Sequence, residues 1–486
     1  MTETLSGPEI RTGLYIGGAH QDAAETFPVR DPADPELIVG HAAAASEAQA
    51  RAAVAAAAEA FPAWAATSAQ ERADQVRASL GALAADNDER IDLLSRENGK
   101  VRSECDIEMH VFDARFNLAA DLADVVSAVR ELPAPPFRTQ VSRLPLGVVS
   151  LIVPFNWPLA ILAASLPQAL VAGNTVVVKA PPTTPLSFVR TVEHIATQLP
   201  PGVLNVVSGA DAVLGPVLIQ DPRVRKVGFT GSVGAGKRIM AMASDNLTRV
   251  TLELGGNDPA LVLADADVNE ETIGKLFVGA FLTTGQVCMA MKRLYVHRSH
   301  YDTVVEGLTG ALGGQKLGPG LNPDATMGPL NSARQRDYVN ELLADVRDTA
   351  EVRELGEAVD EAAVARGQFL RPSLVLDPDP GARVVTEEQF GPTLPIIPFD
   401  DEESAIAQAN DTWSGLCSSV WSSDPEHAGR VAARLRTGTT FINAHNAPWL
   451  DERAPFGGFN QSGMGREMGE EGILAFTDSH SVSFPE

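Results

Sequence analysis

Two residues of this chain carry side chains that could do covalent chemistry together. Cys288 lies in Phe281-Leu282-Thr283-Thr284-Gly285-Gln286-Val287-Cys288, and Glu253 in Leu252-Glu253-Leu254-Gly255-Gly256-Asn257. A thiol with a carboxylate beside it can do covalent acyl chemistry. Taken singly, a cysteine is more often a buried inert group and a glutamate a solvated one. Glu253, however, closes an apolar strand and precedes two glycines, a context that aims an acid into a crevice. Cys105 and Cys417 have no such company and read as core or surface thiols. The nine histidines do not gather with acids at metal-ligand spacing, so no catalytic metal is expected.

Two further features could hold a ligand. The loop Phe229-Thr230-Gly231-Ser232-Val233-Gly234-Ala235-Gly236 follows a strand and opens a helix. Backbone N–H groups at such a junction bind a pyrophosphate, aided by the helix dipole. The spacing is not GxGxxG, and a tight turn without a ligand fits it too. Lys179 ends the Val176-Val177-Val178 strand. At the carboxyl end of a parallel strand it faces the crevice where ligands bind. It is either a solvated strand end or a contact to the hydroxyls of an adenosine ribose, or to a phosphate attached to them.

The elements that must position these groups are legible as patterns. Residues 44–127 look helical, with segments at 46–64, 68–85, 90–98 and 104–129, stopped by Pro133, Pro135 and Pro136. From residue 146 strand and helix alternate. Strands are expected at 147–153, 174–179, 203–208, 224–229 and 249–254, and helices at 158–172, 186–198, 212–219 and 232–245. That is the pattern of a parallel sheet covered on both faces, the best candidate for a cofactor-binding unit. A second α/β unit runs over about 256–456, with helices at 304–312, 333–346 and 427–435 and strands at 394–399 and 418–421. The tail 471–484 ends in a strand-like stretch that needs a partner, in this chain or another.

Composition bounds the answer. A length of 486 residues points to two or three domains. With 44% hydrophobic and 21% charged residues, long disorder is excluded. The net charge of -25, spread along the chain, repels nucleic-acid backbones and anionic membranes. Three cysteines at unrelated spacings make no disulfide framework and fit a reducing compartment. Residues 1–19 mix charges and lack an apolar run, so no export leader is expected and a cytoplasmic location follows by default. The apolar run 151–172 contains Pro154, Asn156, Pro158, Pro167 and Gln168, and reads as strand, turn and helix, not as a membrane span.

From about residue 43 to the C-terminus the chain resembles the aldehyde dehydrogenase superfamily. The motifs that carry the resemblance are Pro154-Phe155-Asn156-Trp157-Pro158, the loop 229–236, the segment 252–257, Gly285-Gln286-Val287-Cys288, Glu388-Gln389-Phe390-Gly391-Pro392, and 455–467, PFGGFNQSGMGRE. Six motifs in order are a specific signal. The resemblance implies an α/β fold with a Rossmann-type cofactor domain over 1–128 and 146–254 and an α/β catalytic domain over 255–456. It also implies a small β arm over 129–145 and 471–486 that joins subunits into a homodimer or homotetramer. It implies oxidation of an aldehyde to its carboxylic acid with NAD(P), through a thiohemiacetal and a thioester on Cys288. Glu253 resembles the general base. The Asn156 side chain and the Cys288 backbone N–H resemble the oxyanion hole. Phe155, Lys179, Gly231, Ser232, Gly236, Leu254, Glu388 and Phe390 are the implied cofactor contacts, with Lys179 at the adenosine ribose, Ser232 at the pyrophosphate and Glu388 at the nicotinamide ribose. Because Glu253 is present, release of a free acid is expected rather than transfer to coenzyme A.

The chain departs from the family pattern at several positions. Pro182 stands where NAD-preferring relatives often place a ribose-binding glutamate. The missing carboxylate removes repulsion against a 2′-phosphate, so NAD is expected with NADP tolerated. Thr283 replaces a common asparagine and Asn460 a common lysine, at positions that carry no core chemistry. Trp157, Ile161, Ala164, Val287, Met289 and the segment 446–450 with Trp449 are the expected pocket, mostly apolar. A medium-sized aliphatic or aromatic aldehyde follows. Arg143 and Arg453 lie near motifs without an evident inward aim, so a semialdehyde is less expected. Trp157 and Trp449 could offer aromatic faces to an amino- or trimethylammonio-aldehyde. A cofactor-independent thiol esterase using Cys288, and a fold that has lost its chemistry, are the alternatives from other classes. The complete set Asn156, Glu253, Cys288, Glu388 and Phe390 argues against the second.

Overall fold

A computed structural model describes residues 10–81, 83–134 and 136–485. Residues 1–9, part of the stretch read as lacking a leader, and Pro135, one of the expected helix stops, lie outside the described residues.

Five parallel strands form the middle of an eight-stranded sheet, in the spatial order Arg249–Leu254, Val224–Gly231, Val148–Ile152, Thr175–Lys179 and Leu204–Val207. Val176, Val177 and Val178 are completely buried, as residues of a strand covered on both faces must be. The helices Pro158–Val171, Pro185–Thr197, Asp211–Gln220 and Val233–Ala243 alternate with these strands, as expected from the sequence. The chain fills one side of the central strand Val148–Ile152 and then returns to fill the other. That reversal opens a crevice past the carboxyl ends of Val148–Ile152 and Val224–Gly231.

A seven-stranded sheet forms the second unit, with Thr393–Phe399, Met291–His297, Asp258–Val262, Cys417–Trp421 and Thr439–Ile442 as consecutive parallel neighbours. Glu351–Glu354 closes one edge antiparallel to Ser373–Leu376. Apolar clusters cover both faces of each sheet, and a further cluster around Trp157, Val287, Met289 and Phe441 contains the region of Cys288.

The C-terminal stretch finds its partner within the chain. Thr477–Pro485 pairs antiparallel with Phe137–Pro145, which pairs with Arg130–Ala134, to make a three-stranded arm. The segment Gly463–Met464 pairs with Leu252 and Glu253, and a Cβ on Gly463 would strike the Leu252 carbonyl. This is one reason the late glycine-rich motif is built as it is.

The helical region differs from the pattern in its ends. Ser46 and Ser68 each open a helix through a capping box, with Gln49 and Glu71. The second helix stops at Ala78, where the Ser79 hydroxyl donates back to the Val76 carbonyl and Gly81 follows. The chain then makes a 3-10 turn and restarts at Asn87. Past Ala120 only the short helix Ala123–Ser127 remains, and Arg130–Ala134 is already a strand, so the prolines do not end the helix. The strands Ile10–Thr12, Leu14–Ile16, Ala19–Gln21, Glu25–Asp31 and Asp34–Ala44 carry no signal strong enough to be read. The shortest hold three residues each, Gly17 and Gly18 turn between two of them, and Pro28 and Pro35 lie within the two longer strands. No helix of the described residues is long and apolar enough to cross a membrane.

Candidate active site

Two cavities meet where the loops of the two sheets come together. Asn156, Ile161, Thr230, Glu253, Leu254 and Cys288 line both. One cavity continues as an apolar tunnel and the other as a groove along the glycine loop.

The nucleophile loop is held in a costly conformation. Thr283, Thr284 and Gly285 are consecutive left-handed residues, with φ of 54°, 55° and 71°. For branched threonines this costs on the order of 1–3 kcal/mol each and persists only where neighbours fix it. The Thr283 N–H donates to Glu104 (2.6 Å), and the Thr283 hydroxyl accepts from the Trp157 ring N–H (3.0 Å). The Thr284 hydroxyl donates to the Gly328 carbonyl (3.0 Å). Gly285 packs against the Gly391 carbonyl, where no Cβ fits. Beneath the loop the buried Lys292 ammonium donates to the carbonyls of Val287 (2.9 Å), Cys288 (3.0 Å) and Ala290 (3.1 Å).

Asn156 is fixed by an amide network that the sequence reading missed. Its Nδ2 donates to the Gln286 carbonyl (2.9 Å), and Gln286 Oε1 accepts from the Asn331 N–H (3.0 Å). Asn98 donates to the Phe155 carbonyl (2.6 Å), and Asn331 donates to the Asn98 carbonyl (3.1 Å). One amide hydrogen of Asn156 is thereby used, and a second remains for the cavity.

Burial dominates the electrostatics. It pushes the Cys288 thiol up to about 12, with Lys292 pulling it down and Glu388, Asp258 and Glu253 adding to the rise. Burial also holds the Glu253 carboxyl well above its ordinary range, with Glu467 reinforcing the shift and Arg466 opposing it. Neither Glu253 oxygen has a protein hydrogen-bond partner. A Cβ at Gly457 would come within 2.8 Å of Glu253 Oε1, so the carboxyl needs that glycine beside it. Glu467 in turn accepts from the Ser165 hydroxyl (2.7 Å). Burial likewise pushes Asp258 up to about 8, against the pull of Lys292.

The groove brings together seven of the eight expected cofactor contacts: Phe155, Lys179, Gly231, Ser232, Leu254, Glu388 and Phe390. Gly236 is the exception. It faces Leu254, where a Cβ would meet the side chain at 2.7 Å, so it serves close packing of helix on strand. The Ser232 hydroxyl caps the helix that follows by accepting from the Ala235 N–H (3.3 Å). Glu388 accepts from the Gly256 N–H (3.2 Å) and fills the space that a side chain at Gly255 would take. Phe390, at φ 48°, stands edge-on to Phe155 with centroids 6.2 Å apart. Lys179 pairs with Asp211 (2.5 Å), an acid absent from the sequence-based site, and both line the groove with Pro182. Arg238 lines the adjoining crevice with Lys179 and Asp211.

Trp157, Ile161, Ala164, Val287 and Met289 line the tunnel as expected. Trp449 does not: Ala447, Pro448 and Leu450 of its segment line the wall, and Trp449 packs into the apolar cluster behind. The face of Trp157 is occupied by the Lys100 ammonium, 4.6 Å from the ring centroid, which is itself paired with the buried Glu108. No arginine of the motif segments is marked by the sequence as inward, yet Arg115 lines the tunnel, bound bidentately to Glu452. The missed wall residues Ile107, Val111 and Arg115 sit one helical turn apart on Arg102–Ala120, a spacing that could have marked them. Cys105 and Cys417 are buried core thiols. Among the described residues no three His, Cys, Asp or Glu side chains are placed to hold a metal ion.

Comparison with known proteins agrees with this geometry. The sequence model of the aldehyde dehydrogenase family matches residues 19–482. Geranial dehydrogenase of Castellaniella defragrans is 38% identical, over 88% of this chain and 89% of its own. The crystal structure of betaine aldehyde dehydrogenase from Staphylococcus aureus in complex with NAD+ superposes with a TM-score of 0.92 at 31% identity, covering 98% of this chain and 95% of that one. An E. coli NADP dependent enzyme superposes with a TM-score of 0.93 at 33% identity, covering 98% of each chain.

The raised thiol gives a direct test. A thiol near 12 is protonated at neutral pH and gains thiolate as pH rises, about tenfold per unit. Alkylation of Cys288 by iodoacetamide in cofactor-free protein, followed by mass spectrometry, is therefore expected to climb through pH 9 without levelling. In Lys292→Met, which loses the cation that opposes the shift, the rate at pH 8 is expected to fall by about tenfold. A plateau below pH 8, or equal rates in the two proteins, would contradict this electrostatic picture.

Proposed function

We propose that this chain, which belongs to the aldehyde dehydrogenase family, oxidises medium-sized apolar aldehydes, aliphatic or aromatic, to their free carboxylic acids. The family and the fold make it a nicotinamide-dependent aldehyde dehydrogenase with a cysteine nucleophile. The substrate reading rests on one observation: the tunnel that reaches Cys288 is walled by apolar side chains such as Ile107, Val111, Ile161 and Leu450. A charged aldehyde would lose its hydration there without return. The name of the geranial dehydrogenase relative supports the same direction. Two observations weigh against charged substrates. Lys100 already lies over the Trp157 ring, so that face is closed to a second cation. The charge of Arg115, which a carboxylate would seek, is taken by Glu452.

In this reading Cys288 gives its proton to solvent and attacks the aldehyde carbon as the thiolate. The free amide hydrogen of Asn156 and the backbone N–H of Cys288 hold the oxygen as it gains charge, donors worth about 2.7–4 kcal/mol each in comparable sites. The nicotinamide cofactor, when bound, accepts the hydride that the thiohemiacetal gives up. Glu253 then takes a proton from water, and the water cleaves the thioester on Cys288. The unpartnered carboxyl oxygens of Glu253 suit a group that must take a proton from water and pass it on.

The groove fits the cofactor in its donor set: Lys179 and Asp211 for the adenosine ribose, the loop with Ser232 for the pyrophosphate, and Glu388 with Phe390 for the nicotinamide end. Asp211 supports NAD over NADP, because its carboxylate supplies the charge that Pro182 removed and faces a 2′-phosphate with repulsion. Arg238 nearby leaves NADP tolerated. The arm exposes Leu132, Phe137, Leu144, Val482 and Phe484, apolar surface that supports pairing with a second copy in a homodimer or homotetramer. Three free cysteines support a reducing, cytoplasmic setting.

Turnover tests the reaction and the substrate class together. Reduced-cofactor absorbance, followed with hexanal, benzaldehyde, succinic semialdehyde and betaine aldehyde, is expected to rise with the first two and to vanish in Cys288→Ala. Turnover confined to the charged aldehydes would overturn the substrate reading. For the cofactor, calorimetry of Asp211→Asn is expected to shift relative affinity towards NADP by about tenfold, or roughly 1.4 kcal/mol. An equal change for NAD and NADP would remove Asp211 from the selection.

A further inference from the structure

The guanidinium of Arg115 ties three walls of the tunnel together. Its Nε and one terminal nitrogen donate to the two carboxylate oxygens of Glu452, at 2.7 and 3.0 Å. The other terminal nitrogen donates to the Ala160 carbonyl (2.7 Å). Arg115 belongs to the helix Arg102–Ala120, Ala160 to the first turn of Pro158–Val171, and Glu452 to the segment after Trp449. All three line the tunnel that ends at Cys288. The two charged side chains are only 12% and 21% exposed, so each depends on the other for compensation. Arg115 uses three of its five N–H donors in these contacts and keeps two. The pair also lines a neighbouring cavity of mixed character, with Leu122, Gln168 and Arg453, and so stands between two spaces.

We propose that the Arg115–Glu452 pair is the specificity switch of this enzyme: its mutual neutralisation is what keeps both anionic and cationic aldehydes out of the tunnel. The inference rests on the tunnel being the aldehyde site. A bidentate arginine–carboxylate pair presents little net charge to a ligand. Removing either partner leaves the other as a desolvated charge in a low-dielectric wall, where a substrate of opposite sign becomes its best counter-ion. The same two positions then sort three substrate classes. An intact pair selects uncharged aldehydes, a lone Arg115 selects aldehydes with a distal carboxylate, and a lone Glu452 selects aldehydes with a distal ammonium. The other acids of the wall do not take over this role: Glu467 is bonded to Ser165, and Glu253 lines the inner end beside Cys288, where both cavities meet.

The test measures kcat/KM with NAD for hexanal, succinic semialdehyde and betaine aldehyde in wild type, Glu452→Gln, Arg115→Met and the double variant Arg115→Met/Glu452→Met. Calorimetric NAD binding confirms that each variant is folded. Glu452→Gln is expected to raise succinic semialdehyde relative to hexanal by about tenfold or more, and Arg115→Met to raise betaine aldehyde by a similar factor. The double variant replaces the pair with apolar side chains and is expected to keep the wild-type order. Ratios that stay within about twofold of wild type in both single variants would overturn the assignment. So would a double variant that accepts a charged aldehyde as well as the single variants do. Wild type that turns over no hexanal, while still binding NAD, would instead sink the aldehyde-site reading on which the inference rests.

Discussion

The Lys292 ammonium, buried and bonded to the carbonyls of Val287, Cys288 and Ala290, is the interaction on which the site depends. The loop that displays Cys288 begins with three left-handed residues and then turns its carbonyls inward. Inward carbonyls without donors would cost about 1–3 kcal/mol each. Lys292 satisfies three at once and places a positive charge under the thiol. Around it stand Glu388, Asp258 and Glu253, all of which raise the thiol. Among the strongest influences on Cys288, Lys292 is the one that lowers it. The loop's shape and the thiol's reactivity therefore share a single cause.

This arrangement constrains the protein at a distance. Asn156 must reach the same loop from the other sheet, and it does so through Gln286, which Asn331 holds in turn. Glu253 must stay apolar-packed and unpartnered, which requires Gly457 beside it. The late glycine motif is thus part of the active site, although none of its glycines does chemistry. Likewise Gly255 leaves room for the Glu388 carboxylate. Glycines here are spacers for carboxyl groups, and substitution at them would act on chemistry through sterics.

Much of this was legible before the fold was known, and the reasons are local. The alternation of apolar strands and helices over 146–254 is dictated by a sheet buried on both faces, and every one of those strands formed. The helical segments expected from Ser46 and Ser68 begin there, and capping boxes hold both starts. Glu253 stood out because it closes an apolar strand before two glycines, whereas the roles of Cys288 and Asn156 came through the family resemblance of their motifs. What stayed hidden was non-local. Lys292 reads as one more charged residue until the fold buries it. Asp211 becomes relevant only because it lies 2.5 Å from Lys179, 32 positions away in the chain. Arg115 and Glu452 are separated by 337 positions. Trp449 looked like a pocket residue because its neighbours are, but a 3-10 turn carries its ring out of the wall. Three of the N-terminal strands failed to register because three residues carry no periodicity, and the two longer ones because each contains a proline, which argues against a strand.

In the proposed mechanism Cys288 carries the acyl group and Glu253 releases it. Intact-mass spectrometry of Glu253→Gln, quenched in acid after mixing with NAD and hexanal, tests it most directly. The account predicts that the protein gains the mass of one hexanoyl group, placed on Cys288 by peptide mapping, while wild type under the same conditions shows little adduct because hydrolysis keeps pace. An acyl group on another residue, or hexanoate formed at the wild-type rate by Glu253→Gln with no adduct, would contradict it.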